Sequence, residues 1–236
     1  MNLQELRKKS IAFTKIRIKE AIGEDVFVIQ LVSHIEDLDR VINILTKRLR
    51  DWYKLTLPEI SNMITDQKDF IDVIRKERKA LMQKFKITES MGKEFSNKDM
   101  ESLELLRKEC ENLIILREKQ TRKLTDLMNQ HYPNLTTLAG GLIGGKLIEL
   151  AGGIKDLVEF PASTIQLLGA EKALFRHIKV GAKPPKYGIL LGHEYVAISN
   201  QKAKAARQLA DKISIAVKID YFKGKFMGDK LKSMLK

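Results

Sequence analysis

The sequence predicts an all-α protein, built as a long antiparallel coiled-coil arm on a helical globular domain. Apolar residues recur in alternating steps of three and four over three long stretches, the spacing of a helical seam rather than a strand. Aromatic residues are only 6% of the 236 positions and prolines number five, which disfavours a sandwich or barrel. Small residues gather around position 140 at steps of four, which lets helix backbones approach closely.

Residues 3–22 read as a charged helix, with Leu3, Leu6, Ile11, Ile18 and Ile22 among many cations, and Gly23-Glu-Asp25 punctuates it. Val28, Leu31, Ile35, Leu38, Ile42, Leu45, Leu49 and Trp52 then form a sustained stripe that argues for one long helix. Residues 1–55 are thus a linker helix and a long helix of the body. Thr56-Leu-Pro-Glu59 reads as a capping box opening a further helix, with the stripe Ile60, Met63, Gln67, Phe70, Ile74, Glu77, Leu81 and Phe85. Thr88–Asn97 breaks the pattern around Gly92. Ser96-Asn-Lys-Asp99 caps a third stripe: Leu103, Leu106, Cys110, Leu113, Arg117, Gln120, Leu124 and Leu127. Two heptad helices joined by about ten residues fold back on each other, so residues 56–132 are expected to form the arm. Gln67, Glu77, Arg117 and Gln120 weaken the seam as a general zipper; the arm either packs on itself or pairs with a second copy.

Tyr132-Pro133 ends the arm, and residues 133–236 form the globular domain. Gly140-Gly-Leu-Ile-Gly-Gly145-Lys146 matches a phosphate-loop pattern, but Leu147 stands where Ser or Thr would hold magnesium, and no β-rich run precedes it. Close-packed helix is the better reading. Further on, Ile189–Val196 is expected to be a buried, partly irregular connection. Asn200–Ile219 returns to helix, with Ala203, Ala206, Leu209, Ala210, Ile213 and Val217 on one face and Lys204, Arg207, Asp211 and Lys218 on the other. Lys223–Lys236 is expected to be a frayed amphipathic tail.

The net charge of +13 is uneven: residues 133–236 carry +9 and residues 1–132 only +4. A basic half beside a charge-mixed one points to a polyanion partner. Cys110 is the sole cysteine, which excludes a disulfide framework and fits a reducing, cytoplasmic setting. His34, His131, His177 and His193 lie far apart without ligand spacing, so no metal or other cofactor is expected. No paired carboxylates or nucleophile–base set is recognisable, and an enzyme is not expected. The most apolar stretch, Leu135–Val158, carries Lys146, Glu149, Lys155 and Asp156 and is not a membrane span.

The stretch that organises this half is Pro161–Gly188. Gly169 breaks one helix and opens the next. In that second helix Ala170, Leu174, Phe175 and Ile178 share one side, expected to be buried, while Lys172, Arg176 and Lys179 share the other. The helix start, with its unpaired N–H groups, also suits an anion such as phosphate. A plain solvated basic face is the alternative. Few aromatics are expected to be exposed, which argues against a single-strand reader that stacks bases.

Gly169-Ala170-Glu171-Lys172-Ala-Leu-Phe-Arg176 together with Lys186-Tyr-Gly188 resembles the signature of the Nop-domain family, in particular archaeal proteins that partner fibrillarin in box C/D ribonucleoproteins. Asp25–Trp52, Ser90-Met-Gly92, Pro133-Asn-Leu-Thr136, Leu150-Ala-Gly-Gly153, Arg207–Lys212 and Ile219-Asp-Tyr-Phe222 extend the likeness over nearly all of the chain. The resemblance implies a scaffold that binds kink-turn RNA together with its ribosomal-like protein, dimerises through the coiled coil and positions fibrillarin for ribose 2′-O-methylation. It implies RNA or partner contacts at Gly169, Ala170, Glu171, Lys172, Arg176, Lys179, Lys186, His193, Lys202, Lys204 and Arg207. The chain departs from the family in three ways. It starts near the linker that follows the family's fibrillarin-binding domain, which puts direct fibrillarin contact in question. Gly192, followed by His193, stands where His or Gln is usual. Lys202-Ala-Lys204 replaces an Arg-Gly-Lys. A coiled-coil adaptor whose basic patch meets an acidic protein or membrane surface is the competing class.

Overall fold

The computed structural model describes residues 3–20 and 22–235, with Asn97 described through its backbone alone. Met1, Asn2, Ala21 and Lys236 lie outside the described residues, and with them those parts of the expected first helix and tail. So does the Asn97 side chain of the expected 96–99 cap. The chain is all-α, with no strand among the described residues. Its helices are α1 (Leu3–Glu20), α2 (Glu24–Tyr53), α3 (Pro58–Met63), α4 (Gln67–Val73), α5 (Arg78–Lys84), α6 (Asn97–His131) and α7 (Pro133–Ala151). There follow α8 (Ile154–Glu159), α9 (Ala162–Leu167), α10 (Glu171–Val180), a 3-10 turn (Ile189–Gly192), α11 (Glu194–Ile198), α12 (Lys202–Tyr221) and α13 (Gly228–Ser233). None of the described helices is long and apolar enough to cross a membrane. Two compact units emerge, one of residues 34–120 and one of residues 1–33 with 121–236. The divisions therefore fall inside α2 and α6, whereas the sequence reading put them after residues 55 and 132.

In the unit of residues 34–120, Arg117 pairs with Asp39 at 3.0 Å, and the Cys110 thiol meets the Thr46 side chain. Numbering falls on α6 as it rises on α2, so these two helices are the antiparallel pair. The expected partner for α6, one helix from Pro58 to Phe85, is instead three short helices. The Asp66 carboxylate accepts from the Asp69 N–H at 2.9 Å and starts α4 afresh, so the apolar stripe continues across breaks that spacing alone does not reveal. Gln67, a weak point of the stripe, donates to Asn43 at 2.7 Å. The core gathers Leu49, Tyr53, Leu57, Ile60, Phe70, Ile71, Leu81, Leu103 and Cys110. Tyr53 meets Phe70 edge-on at 5.8 Å, and the Arg50 guanidinium covers that ring at 4.2 Å. Tyr53, and not the half-exposed Trp52, ends the α2 stripe.

The expected capping box at Thr56 does not form. Leu57 precedes α3 without a side-chain cap, and Glu59 instead accepts from Ser90 Oγ at 2.9 Å and the Met91 N–H at 3.0 Å. The second expected cap does form, with the Asp99 N–H reaching Ser96 Oγ at 3.4 Å.

In the other unit α12 is the central helix. It buries Ala205, Ala206, Leu209, Ala210, Ile213, Ala216 and Val217 against α7, α8, α9 and α11. The glycine-rich stretch lies within α7, which is kinked at Gly140 (φ 74°, ψ 166°). Beyond the kink α7 runs so close to its neighbours that a Cβ on Gly145 would sit 2.9 Å from Val32 Cγ2, and one on Gly141 2.6 Å from Thr125 Oγ1. Lys146 of the phosphate-loop-like pattern pairs with Glu149 at 2.6 Å. Asp25 accepts from the Ile154 N–H at 3.1 Å and holds the first turn of α8. The tail is not frayed: Gly228 and Leu231 of α13 are buried, and α13 packs on α7.

Candidate nucleic-acid interface

The two halves of the 169–188 signature are joined at their base by one side-chain and two backbone hydrogen bonds. Gln166 Nε2 donates to the Lys186 carbonyl at 2.6 Å, the Gly188 N–H to the Gln166 carbonyl at 2.9 Å, and the Ile189 N–H to the Leu168 carbonyl at 2.8 Å. The strands of chain lie so close that a Cβ on Gly188 would fall 1.8 Å from the Leu168 oxygen. Gly169 turns the chain at φ +85°, a left-handed conformation that suits glycine, and a Cβ there would strike Ile189 Cγ2 at 2.3 Å. Both glycines are thus required by one stitched junction at the foot of α10.

Above that junction α10 stands clear. None of its residues is buried, which overturns the expectation of a packed apolar face. Phe175 is 61% and Ile178 68% exposed, with Leu174 and Val180 also open, while Lys172, Arg176 and Lys179 are exposed on the opposite side. The sequence predicts the two faces correctly. It could not show that no neighbouring helix covers the apolar one. Gly181 ends the helix in a left-handed turn at φ 66°, closed by the His177 ring on the Ala182 carbonyl. At the start of α10 the Gly169 N–H is taken by Glu171 Oε1 at 2.6 Å, so the protein's own carboxylate stands where the sequence offered a phosphate.

Lys202, Lys204 and Arg207 lie exposed on the first turns of α12. They are joined to the α10 junction through α9, which packs on α12 and leads through Leu168 into Gly169. Tyr195 Oη donates to Gln208 Oε1 at 2.9 Å and pins α11 beside this turn, leaving a depression of about 270 Å³ edged by Ser199, Gln201 and Lys204. Lys186 is exposed while its carbonyl is held by Gln166. His193 stands apart from the other candidates. Its Nδ1 accepts from the Tyr195 N–H at 3.2 Å as the cap of α11, and the ring also bonds the Leu138 carbonyl, two residues before the α7 kink. Burial holds its imidazole below the usual range, with Lys232 adding to the effect. Both ring nitrogens are engaged within the chain. Gln166, which no motif or spacing marks, is the residue of the junction that the sequence reading missed. Among the described residues no group of His, Cys, Asp and Glu could hold a metal ion.

The arrangement is an exposed amphipathic helix linked through α9 to a second cationic helix end, suited to a polyanion on one side and an apolar surface on the other. The family model described as "Nop: snoRNA binding domain, fibrillarin" matches residues 34–236. An uncharacterized NOP5 family protein of Methanocaldococcus jannaschii is 39% identical, over 98% of this chain and 61% of its own length. Nucleolar protein 58 of Schizosaccharomyces pombe is 34% identical, over 83% of this chain and 42% of its own. The chain therefore spans about three-fifths or less of these curated relatives. Among solved structures, a chain of a fibrillarin/Nop5p complex superposes with a TM-score of 0.59 at 29% identity, covering 98% of this chain and 75% of that one.

Proposed function

This chain belongs to the Nop family, and from that premise we propose that it is a non-enzymatic scaffold of a box C/D-type guide ribonucleoprotein. In this reading it binds a kink-turn RNA together with the ribosomal-like protein seated on it, and pairs with a second copy to support RNA 2′-O-methylation by fibrillarin. The observation that carries the reading is the double exposure of α10. Lys172, Arg176 and Lys179 can take phosphates, while Leu174, Phe175 and Ile178, on the adjoining side, can take an apolar protein surface. A helix that served RNA alone would gain nothing from exposing Phe175 and Ile178, and one that served protein alone would gain nothing from three cations. Lys202, Lys204 and Arg207 extend the phosphate-facing side.

Self-pairing is supported by the apolar residues that the antiparallel pair leaves exposed, Val41 and Ile44 on α2 and Leu105 and Leu116 on α6. The test is a gel shift of the full chain on kink-turn RNA with and without its ribosomal-like protein. Binding should be weak and salt-sensitive on bare RNA and should tighten when the protein is present. Equal affinity for kinked and straight duplexes, with or without the protein, would leave only a general polycation.

A further inference from the structure

A second surface of the same unit carries exposed rings and cations that the α10 site does not use. The seven residues Tyr221-Phe-Lys-Gly-Lys-Phe-Met227 are all exposed, Phe222 at 73% and Phe226 at 53%. Exposed aromatic residues on a frayed tail would mean little, but this turn is fixed at both ends. The Gly224 N–H reaches back to the Ile219 carbonyl at 2.8 Å and the Lys223 N–H to the Asp220 carbonyl at 3.2 Å, the paired bonds that close a helix end with a left-handed residue. Downstream, the Met227 N–H donates to Asn134 Oδ1 at 2.6 Å. Gly228 then lies against Thr137 and the Phe226 ring.

The left-handed position is held by Lys223, at φ +54°, where glycine would be easier. A cation is therefore kept between the two phenylalanines at some conformational cost. Tyr221 and Phe222 meet edge to face, their centroids 5.1 Å apart at 83°, which leaves a face of the Phe222 ring open to solvent. The turn also ends a continuous outward ridge of α12. Lys204, Arg207, Asp211, Ile215, Lys218 and Phe222 fall on one side at helical spacing, and every one of them is exposed.

We infer that the Tyr221–Met227 turn is a stacking platform for unpaired bases: Phe222 and Phe226 take nucleobases of a single-stranded RNA segment while Lys218, Lys223 and Lys225 hold its phosphates. Rings separated by lysines on a rigid turn match a strand whose bases and phosphates alternate. The lysines between and beside the rings favour a polyanion over a purely apolar protein surface. The sequence expectation that few aromatics are exposed is thereby corrected at this turn. The inference rests on the reading above only in taking RNA as the polyanion.

The test compares the full chain with F222A/F226A, using fluorescein-labelled 12-nucleotide oligouridine and a blunt 12-base-pair RNA duplex at the same salt. The double variant should bind oligouridine about tenfold more weakly, while duplex affinity changes less than twofold. Phe222→Trp should add an indole whose fluorescence oligouridine quenches beyond the background of Trp52. Both positions are exposed, so far-ultraviolet circular dichroism should match the unaltered chain. The inference is overturned by no measurable oligouridine binding, by equal losses on both probes, or by an unquenched indole. It is also overturned if a poly-glutamate peptide binds the turn and the double variant loses that peptide alone. K172E/R176E should leave the oligouridine quench intact, and F222A/F226A should still bind the kink-turn RNA–protein complex, so either reading can fail without the other.

Discussion

Asp220, at the end of α12, caps the start of α7 through Asn134. Its Oδ1 accepts from Asn134 Nδ2 at 2.7 Å and its Oδ2 from the Leu135 N–H at 2.8 Å. Asn134 passes the connection on, its own Oδ1 accepting from Met227. Three segments far apart in the chain meet in one buried polar cluster, and a carboxylate at a helix start is also favoured by the helix dipole. Asp220→Ala leaves several buried donors unpaired and should cost about 3 kcal/mol, read as a lower urea midpoint with an unchanged slope. Asp220→Asn keeps part of the acceptor set and should cost less.

Gly188→Ala should act locally. Its Cβ cannot fit beside the Leu168 carbonyl, so the junction must open, and α10 would be freed while α7 and α12 remain packed. Limited proteolysis between residues 170 and 188 should speed up markedly, with the helical signal nearly unchanged. A variant as protease-resistant as the unaltered chain would show that the stitching is not what holds α10.

The two sides of α10 should separate in binding assays. Phe175→Ala with Ile178→Ala should change stability by less than about 0.5 kcal/mol, since neither side chain is buried. The same pair should weaken capture of the RNA–protein complex without altering affinity for bare RNA. K172E/R176E should weaken both.

His193 predicts a pH dependence of stability. Burial lowers its pKa in the folded chain, so the fold favours the neutral ring. The stability this represents is complete above the ordinary histidine pKa of about 6.5 and is lost as pH falls through the lowered value. The urea midpoint should therefore drop between pH 7.5 and 5, and His193→Gln should show a smaller drop over the same range. Parallel pH curves for the two proteins would remove His193 as the cause.

The antiparallel pair should mediate self-association. Sedimentation of the intact chain at tens of micromolar should give a dimer. Replacing residues 34–120 by a short Gly/Ser loop should give a folded monomer, because Val32 and Leu124, near the two cut ends, both touch Gly145. A monomeric intact chain would confine the pair to holding its own unit together.

Helix periodicity made most of the fold legible. The α12 stripe and the long α2 helix follow directly from spacing, since a buried face must repeat with the helix. The break-up of residues 58–84 was hidden because each short helix keeps the phase of the apolar stripe, and only the Asp66 cap marks a restart. Periodicity also predicted both sides of α10 but not its isolation. Amphipathicity states what a helix could bury, and coverage depends on neighbours that the local sequence does not contain. The role of Gln166 was illegible for a related reason: a side chain that bonds a carbonyl twenty residues away leaves no spacing to read.

The junction below α10 is closed largely by main-chain groups, and no residue of the helix itself is fully buried. Residues 171–185 therefore form an exchangeable cassette. Their exposed positions should accept rewriting by grafting or by a randomised library with little penalty to folding, provided Gly169, Glu171, His177, Gly181 and Gly188 are kept. Selection on such a library would retarget what the scaffold captures while leaving the rest of the molecule untouched.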